Sequence, residues 1–256
     1  MLSNKTALVS GASSGIGKAT AELLARRGYD LILVGRRLDR LQELCEALGA
    51  KVSCFPLQCD FFDIDSMEGA LESIPAELKD VEVLINNAGN ALGFDTAQKS
   101  DWKDWERMIS LNCTALARLT HYFLPGMVAR NAGHIVNLGS VAAVYPYKSG
   151  NVYGASKAFV GMFSRNLKAD LLGTAVRVTN IEPGMVSDTE FTDVRVQGDA
   201  AKIEAIKGGV DALQAADIAN TIDWVLQQPA HVNINRIELM PVAQAAAGLA
   251  YHRLKT

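Results

Sequence analysis

Ser140, Tyr153 and Lys157 are the residues of this chain whose types and spacing most suggest chemistry. Tyr153 and Lys157 are four apart, so on a helix they share one face. A free phenol titrates near pH 10 (about), too high for a base at neutral pH, and a neighbouring ammonium favours the phenolate and lowers that value. Tyr153 could then shuttle a proton. Ser140 closes the apolar strand-like run His134 to Leu138 and could lend its hydroxyl to the same substrate oxygen. Alone, a Tyr and Lys at this spacing are weak evidence, because a helix-surface Tyr packed by a lysine stem has the same pattern.

A second signal lies at the amino terminus. The apolar run Ala7-Leu8-Val9 leads into Ser10-Gly11-Ala12-Ser13-Ser14-Gly15-Ile16-Gly17 and then into a helical pattern from Ala19 to Arg27. This is a strand, a glycine turn and a helix. Glycines allow a tight turn and close approach of a phosphate, and the free N–H groups at the helix start attract a pyrophosphate. About twenty residues further on, Leu31 to Val34 ends in Gly35-Arg36-Arg37, where an NAD-specific site would carry an acid for the ribose 2′-hydroxyl. Two guanidinium forks suit a 2′-phosphate, so NADP is the expected cofactor. Asp39 and a solvated basic helix start are the competing considerations.

The elements that must position these residues follow from periodicity. Apolar runs near 6–10, 31–35, 51–57, 81–86, 133–139, 175–181 and 235–240 alternate with helical patterns near 15–28, 37–48, 63–75, 101–130, 153–173 and 215–227. Alternation of this kind predicts a single-domain, Rossmann-type α/β fold over residues 1–256: a doubly wound parallel sheet of about seven strands with helices on both faces. The Ala-, Leu- and Met-rich stretch from Ile237 to Tyr251 is expected to bury against this subunit or a partner. Trp102, Trp105 and Trp224 are expected to be packing residues.

Composition agrees. The chain has 256 residues, 49% hydrophobic, with a net charge of −3, which suits a large core and gives no basic surface for nucleic acid. It has no charged-then-apolar leader and no apolar stretch long enough to cross a bilayer, so a cytoplasmic protein without a membrane partner is expected. Cys45, Cys54, Cys59 and Cys113 lack paired spacing and are expected as free, small core residues. His121, His134, His231 and His252 are scattered, and no metal site is expected.

Across its length the chain resembles the short-chain dehydrogenase/reductase family. The family's glycine pattern is matched by Gly11, Gly15 and Gly17, with Ser10 where Thr is usual; its Asn-Asn-Ala-Gly by Asn86, Asn87, Ala88 and Gly89; its Ser, Tyr and Lys by Ser140, Tyr153 and Lys157; and its helix asparagine by Asn112. The resemblance implies a nucleotide held by Gly11, Ser13, Ser14, Gly15, Ile16, Gly17, Arg36, Arg37, Asp60, Phe61, Asn87, Ala88, Gly89, Tyr153, Lys157, Pro183, Gly184, Val186 and Thr189. It also implies hydride transfer in which Tyr153 handles the proton, Ser140 orients the oxygen, Lys157 bonds the nicotinamide ribose, and Asn112 bends its helix. Finer stretches, among them Leu124-Pro125-Gly126-Met127-Val128 and Asn151 to Phe159, resemble a branch of NADP-dependent 3-hydroxy acid dehydrogenases that takes in serine and L-allo-threonine dehydrogenases and sulfoacetaldehyde reductases. From the branch come the expectations of a short 3-hydroxy acid or another small acidic carbonyl as substrate, and of a homotetramer. Arg195 is the candidate partner for the substrate's acid group; an ordinary surface Arg paired with Asp193 or Asp199 is the other reading. A non-catalytic NADPH sensor on the same fold is the alternative from another class, and it has no need of the full Ser140, Tyr153, Lys157 and Asn112 set.

Overall fold

The apolar runs form seven parallel strands in a computed structural model that describes residues 5–49 and 52–246. They are β1 (Thr6–Ser10), β2 (Asp30–Gly35), β3 (Cys54–Gln58), β4 (Val81–Asn86), β5 (Gly133–Leu138), β6 (Val176–Pro183) and β7 (Arg236–Leu239). The sheet order is β3-β2-β1-β4-β5-β6-β7, and every neighbouring pair is parallel. Burial on both faces explains why the runs of β1, β2, β4, β5 and β6 read as largely apolar rather than alternating. Leu8, Ile32 and Val34 point into one core, and Ala7, Val9, Leu31 and Leu33 into the other. The order reverses between β1 and β4, and a crevice opens beyond the strand ends at such a switch.

The helices are α1 (Gly15–Arg26), α2 (Leu38–Leu48), α3 (Ile64–Glu72), α4 (Trp102–Ile109), α5 (Leu116–Ala129), α6 (Asn151–Asp170), α7 (Phe191–Arg195), α8 (Ala200–Lys207) and α9 (Ala215–Leu226). On one face Leu24 of α1 packs with Ile218 and Ile222 of α9; on the other Leu119 and Phe123 of α5 and Leu167 of α6 close the second core. The stripe Tyr153, Ser156, Lys157, Val160, Ser164 and Leu167 is the buried edge of α6, which fixes the two reactive residues inward by helical spacing.

Several expectations need correction. The helix expected over 101–130 is divided, with a π-helical turn at Ser110–Ala115 between α4 and α5. β3 starts at Cys54, three residues later than expected. The stretch after β6, where no helix was expected, carries the short α7 and α8. Cys45 and Cys54 are not free thiols: the end of α2 lies against the start of β3 and the two are joined in a disulfide, their Cα atoms 5.4 Å apart. Cys59 and Cys113 are free. Trp102 and Trp224 are exposed rather than packed, 63% and 52% accessible, because each falls on the outer side of its helix. The expected apolar tail lies partly outside the described residues, from 247 onward. Among the described residues no helix is long and apolar enough to cross a membrane, and no cluster of His, Cys, Asp and Glu could hold a metal ion.

Candidate active site

At the switch between β1 and β4 the glycine loop is locked to the loop after β4 by one hydroxyl. Ser10 Oγ donates to Ile85 O (3.2 Å) and accepts from the backbone N–H groups of Asn87 and Ala88, both at 3.0 Å. Serine thus makes the bonds expected of a threonine here. Gly11 has φ +67°, and a Cβ on it would lie 2.9 Å from Asn87 Nδ2, so both its backbone angle and its neighbour demand glycine. Helix α1 begins at Gly15 with no side chain capping its first N–H groups and no acid in its first turn. Free N–H donors and an unopposed dipole at that end are what a pyrophosphate requires. Arg37 reaches back from β2: its Nη2 donates to Ser13 Oγ (3.0 Å) and Ser14 Oγ (3.1 Å).

From here a cleft of about 710 Å³ runs across the strand ends. Its wall takes in Gly11, Ser13, Ser14, Gly15, Ile16, Arg36, Arg37, Phe61, Asn87, Ala88, Gly89, Ser140, Tyr153, Lys157, Pro183, Gly184, Val186, Thr189 and Arg195. Three expected residues are not on that wall. Gly17 lies in α1, Asp60 turns its carboxylate to the N–H of Phe62 (3.1 Å), and Asn112 sits one layer behind. The glycine cradle, the uncapped helix start and two guanidinium groups within one cleft fit a phosphorylated dinucleotide.

Asn112 accounts for the π-helical turn. Its Oδ1 accepts from Asn90 N–H (2.9 Å), and its Nδ2 donates to Asn90 O (2.8 Å) and to Ser156 Oγ (2.9 Å). A widened turn is tolerated where a side chain supplies such partners. The asparagine thereby ties the loop after Gly89 to α6 directly behind Lys157. A Cβ at Gly89 would stand 3.1 Å from Lys157 Nζ, so the small residue leaves the ammonium its space.

Lys157 is buried, and burial lowers its pKa to about 8. Its Nζ donates to Leu138 O (2.7 Å) and lies 6.0 Å from the centre of the Tyr153 ring. Burial pushes the Tyr153 phenol well above its ordinary value, and the hydrogen bond with Ser140 and the charge of Arg195 offset only part of that rise. The ammonium donates its hydrogen bond to the β5 carbonyl. Among the protein's own groups, burial is the leading influence on Tyr153 and opposes its ionisation. Ser140 Oγ also accepts from Ala142 N–H (3.1 Å), which fixes the hydroxyl at the start of a short 3₁₀ turn.

Arg195, in α7, pairs with neither Asp193 nor Asp199. Those acids face Lys207 and Lys202. Arg195 instead turns inward and is buried. It donates from Nε to Gly93 O (3.3 Å), from Nη1 to Tyr147 Oη (2.9 Å) and from Nη2 to Ser149 O (3.0 Å), and it lies 5.0 Å from the centre of the Phe94 ring. All three acceptors are neutral, and among the described residues no carboxylate balances this guanidinium. Sequence reasoning missed Phe94, Tyr147, Glu190 and Phe191 on the same wall; Phe191 packs against Tyr153 with ring centres 5.6 Å apart. None of the four belongs to a motif, so no local signal could have found them.

Comparison with known proteins places this geometry among redox enzymes. The sequence model of the short chain dehydrogenase family matches residues 5–200. The NADP-dependent 3-hydroxy acid dehydrogenase of Salmonella typhi is 49% identical over 246 residues, 96% of this chain and 98% of that protein. The serine 3-dehydrogenase of Agrobacterium fabrum is 46% identical over 248 residues, 97% of this chain and 98% of that one. Among solved structures, the closed form of a serine dehydrogenase complexed with NADP⁺ is 48% identical, covers 97% of this chain and 100% of its own, and superposes with a TM-score of 0.91.

Proposed function

The chain belongs to the short-chain dehydrogenase family and is an NADP-dependent oxidoreductase acting on CH–OH and C=O groups; within that chemistry we propose that its substrate is a short 3-hydroxy acid or the corresponding semialdehyde. The observation that carries this reading is Arg195, a buried guanidinium beside Tyr153 whose protein partners are all neutral. A carboxylate brought into such a pocket gains charge-assisted hydrogen bonds and offsets an otherwise unbalanced buried charge. Relatives named for 3-hydroxy acid and serine dehydrogenation support the same class.

When bound, NADP supplies the hydride acceptor or donor. The chain's residues then divide the remaining work. Ser140 orients the reacting oxygen; in reduction the Tyr153 phenol gives that oxygen its proton and is left as phenolate, and in oxidation the Tyr153 phenolate, favoured by the charges of Lys157 and oxidised NADP together, takes the hydroxyl proton and becomes the phenol. Lys157 would hold the nicotinamide ribose, and Asn112 positions Lys157's helix. Arg36 and Arg37 would receive the 2′-phosphate, and Gly11, Gly15 and the α1 start would hold the pyrophosphate. The branch resemblance supports a homotetramer.

The test is NADP⁺ reduction against a panel of short 3-hydroxy acids, hydroxysulfonates and neutral alcohols of equal size. The expected order is acids far above alcohols in kcat/KM. Equal rates with neutral alcohols would remove the substrate assignment, and a preference for hydroxysulfonates would move it to sulfonate aldehydes.

A further inference from the structure

Among the described residues, five cations and one carboxylate line the cleft: Arg36, Arg37, Lys148, Lys157 and Arg195 against Glu190. Glu190 is taken up by Arg37 and Arg40, at 2.9 and 2.7 Å, so it balances neither Arg195 nor Lys148. Arg36 and Arg37 are assigned to the nucleotide, and Lys157 to its ribose. Two cations remain for the substrate, Arg195 and Lys148, and they are structurally linked. Lys148 sits in the loop between β5 and α6, and Arg195 holds the residues on both sides of it, through Tyr147 Oη (2.9 Å) and Ser149 O (3.0 Å). Ser149 has a left-handed backbone (φ +68°), a conformation that a residue other than glycine keeps where its surroundings hold it. The guanidinium that bonds Ser149 O thus fixes the course of the loop, and with it the place of Lys148 on the wall.

No carboxylate pairs with the Lys148 ammonium among the described residues. The side chain is exposed, so water solvates it while the cleft is open. A substrate seated on Arg195 displaces part of that water and strengthens every charge interaction nearby. There a second anion is attracted, and a second cation is repelled.

We propose that Lys148 is a second anion-binding position of the substrate site, and that the substrate is a short hydroxy diacid. One acid group lies on Arg195, the carbinol carbon at Ser140 and Tyr153, and the other acid group on Lys148. The proposal rests on the reading that Arg195 takes an acid group. The redox step is the one already assigned: the carbinol carbon gives hydride to NADP⁺, its hydroxyl proton passes to the Tyr153 phenolate, and a keto diacid and NADPH result. The planar fork of Arg195 fixes the first carboxylate in one orientation, whereas the flexible stem and three donors of Lys148 can follow a second one at varying span.

The test is kcat/KM for NADP⁺ reduction by the full-length protein with three probes of equal chain length. They are 3-hydroxyglutarate, which carries two carboxylates; each enantiomer of 3-hydroxyvalerate, in which a methyl group replaces one of them; and 3-pentanol, which has neither. The wild type is expected to favour 3-hydroxyglutarate over the better 3-hydroxyvalerate enantiomer by roughly fivefold to fiftyfold, chiefly through KM. Lys148→Met should bring the two acids to parity, and Lys148→Arg should retain the preference. No preference for the diacid in the wild type, or a preference that Lys148→Met leaves intact, would overturn the second anion position. Failure of the underlying reading is distinct, because 3-hydroxyvalerate would then be no better than 3-pentanol.

Discussion

The two ends of the cleft are built by different means. At the nucleotide end the contacts are made by backbone and short side chains anchored in strands: Ser10 ties three backbone groups, and Gly11 lies against Asn87 with no room for a Cβ. At the substrate end they are made by long side chains that cross between loops, as when Arg195 spans from α7 to Gly93, Tyr147 and Ser149. The first kind is rigid before any ligand binds, because strand ends cannot shift without unzipping the sheet. The second kind depends on a few exchangeable polar contacts and can open and close. Preorganisation for the cofactor and adaptability for the substrate are therefore allotted to separate segments of one chain.

The sharpest way to break this comparison is at the point where the two ends meet. Tyr153→Phe keeps the ring against Phe191 and removes only the proton-carrying oxygen, so turnover should fall by about 100- to 10,000-fold with NADP⁺ affinity little changed. Steady-state rates and fluorescence titration check the two halves, and retention of more than a tenth of turnover would sink the assignment. At the substrate end, Arg195→Met deletes the charge and keeps much of the stem. A buried ion pair broken on one side costs on the order of 3–5 kcal/mol, so kcat/KM for acidic substrates should drop roughly a hundredfold or more, with a much smaller loss for neutral alcohols. Equal losses on both would mean that Arg195 holds the segment together rather than the substrate. At the nucleotide end the expected effect is smaller. Lys157 is protonated below its pKa of about 8, so its charge-assisted grip on the ribose is full below that pH and fades as pH rises through it. NADP⁺ affinity should thus be level from pH 6.5 to 7.5 and decline a few-fold by pH 9.5 (roughly). In Lys157→Met the same titration should be flat.

The nucleotide end was legible in the sequence for the same reason that it is rigid. A glycine turn between a strand and a helix is a local arrangement, and residues seven or fewer apart, Gly11 to Gly17, carry all of it. The spacing of Tyr153 and Lys157 was legible in the same way, since one helix turn fixes their relation. Phe94, Tyr147, Glu190 and Phe191 were not, because each reaches the cleft from a loop or short helix whose course is set by contacts far away in sequence. Cys45 and Cys54 are only nine residues apart, yet their pairing depended on how α2 packs beside β3, which spacing alone does not express.

The sequence by itself determined the periodic elements, the parallel sheet and the set of groups available for hydride transfer, because these follow from side-chain patterns within a few turns or strands. Tertiary structure decided their electrostatic state. Burial raises the Tyr153 phenol above its ordinary value, and the hydrogen bond with Ser140 works against that rise. Arg195 is an inward-facing cation rather than a surface one because Asp193 and Asp199 are taken by lysines. Desolvation and the direction of a charge depend on everything packed around a residue, and no neighbour in sequence can supply them.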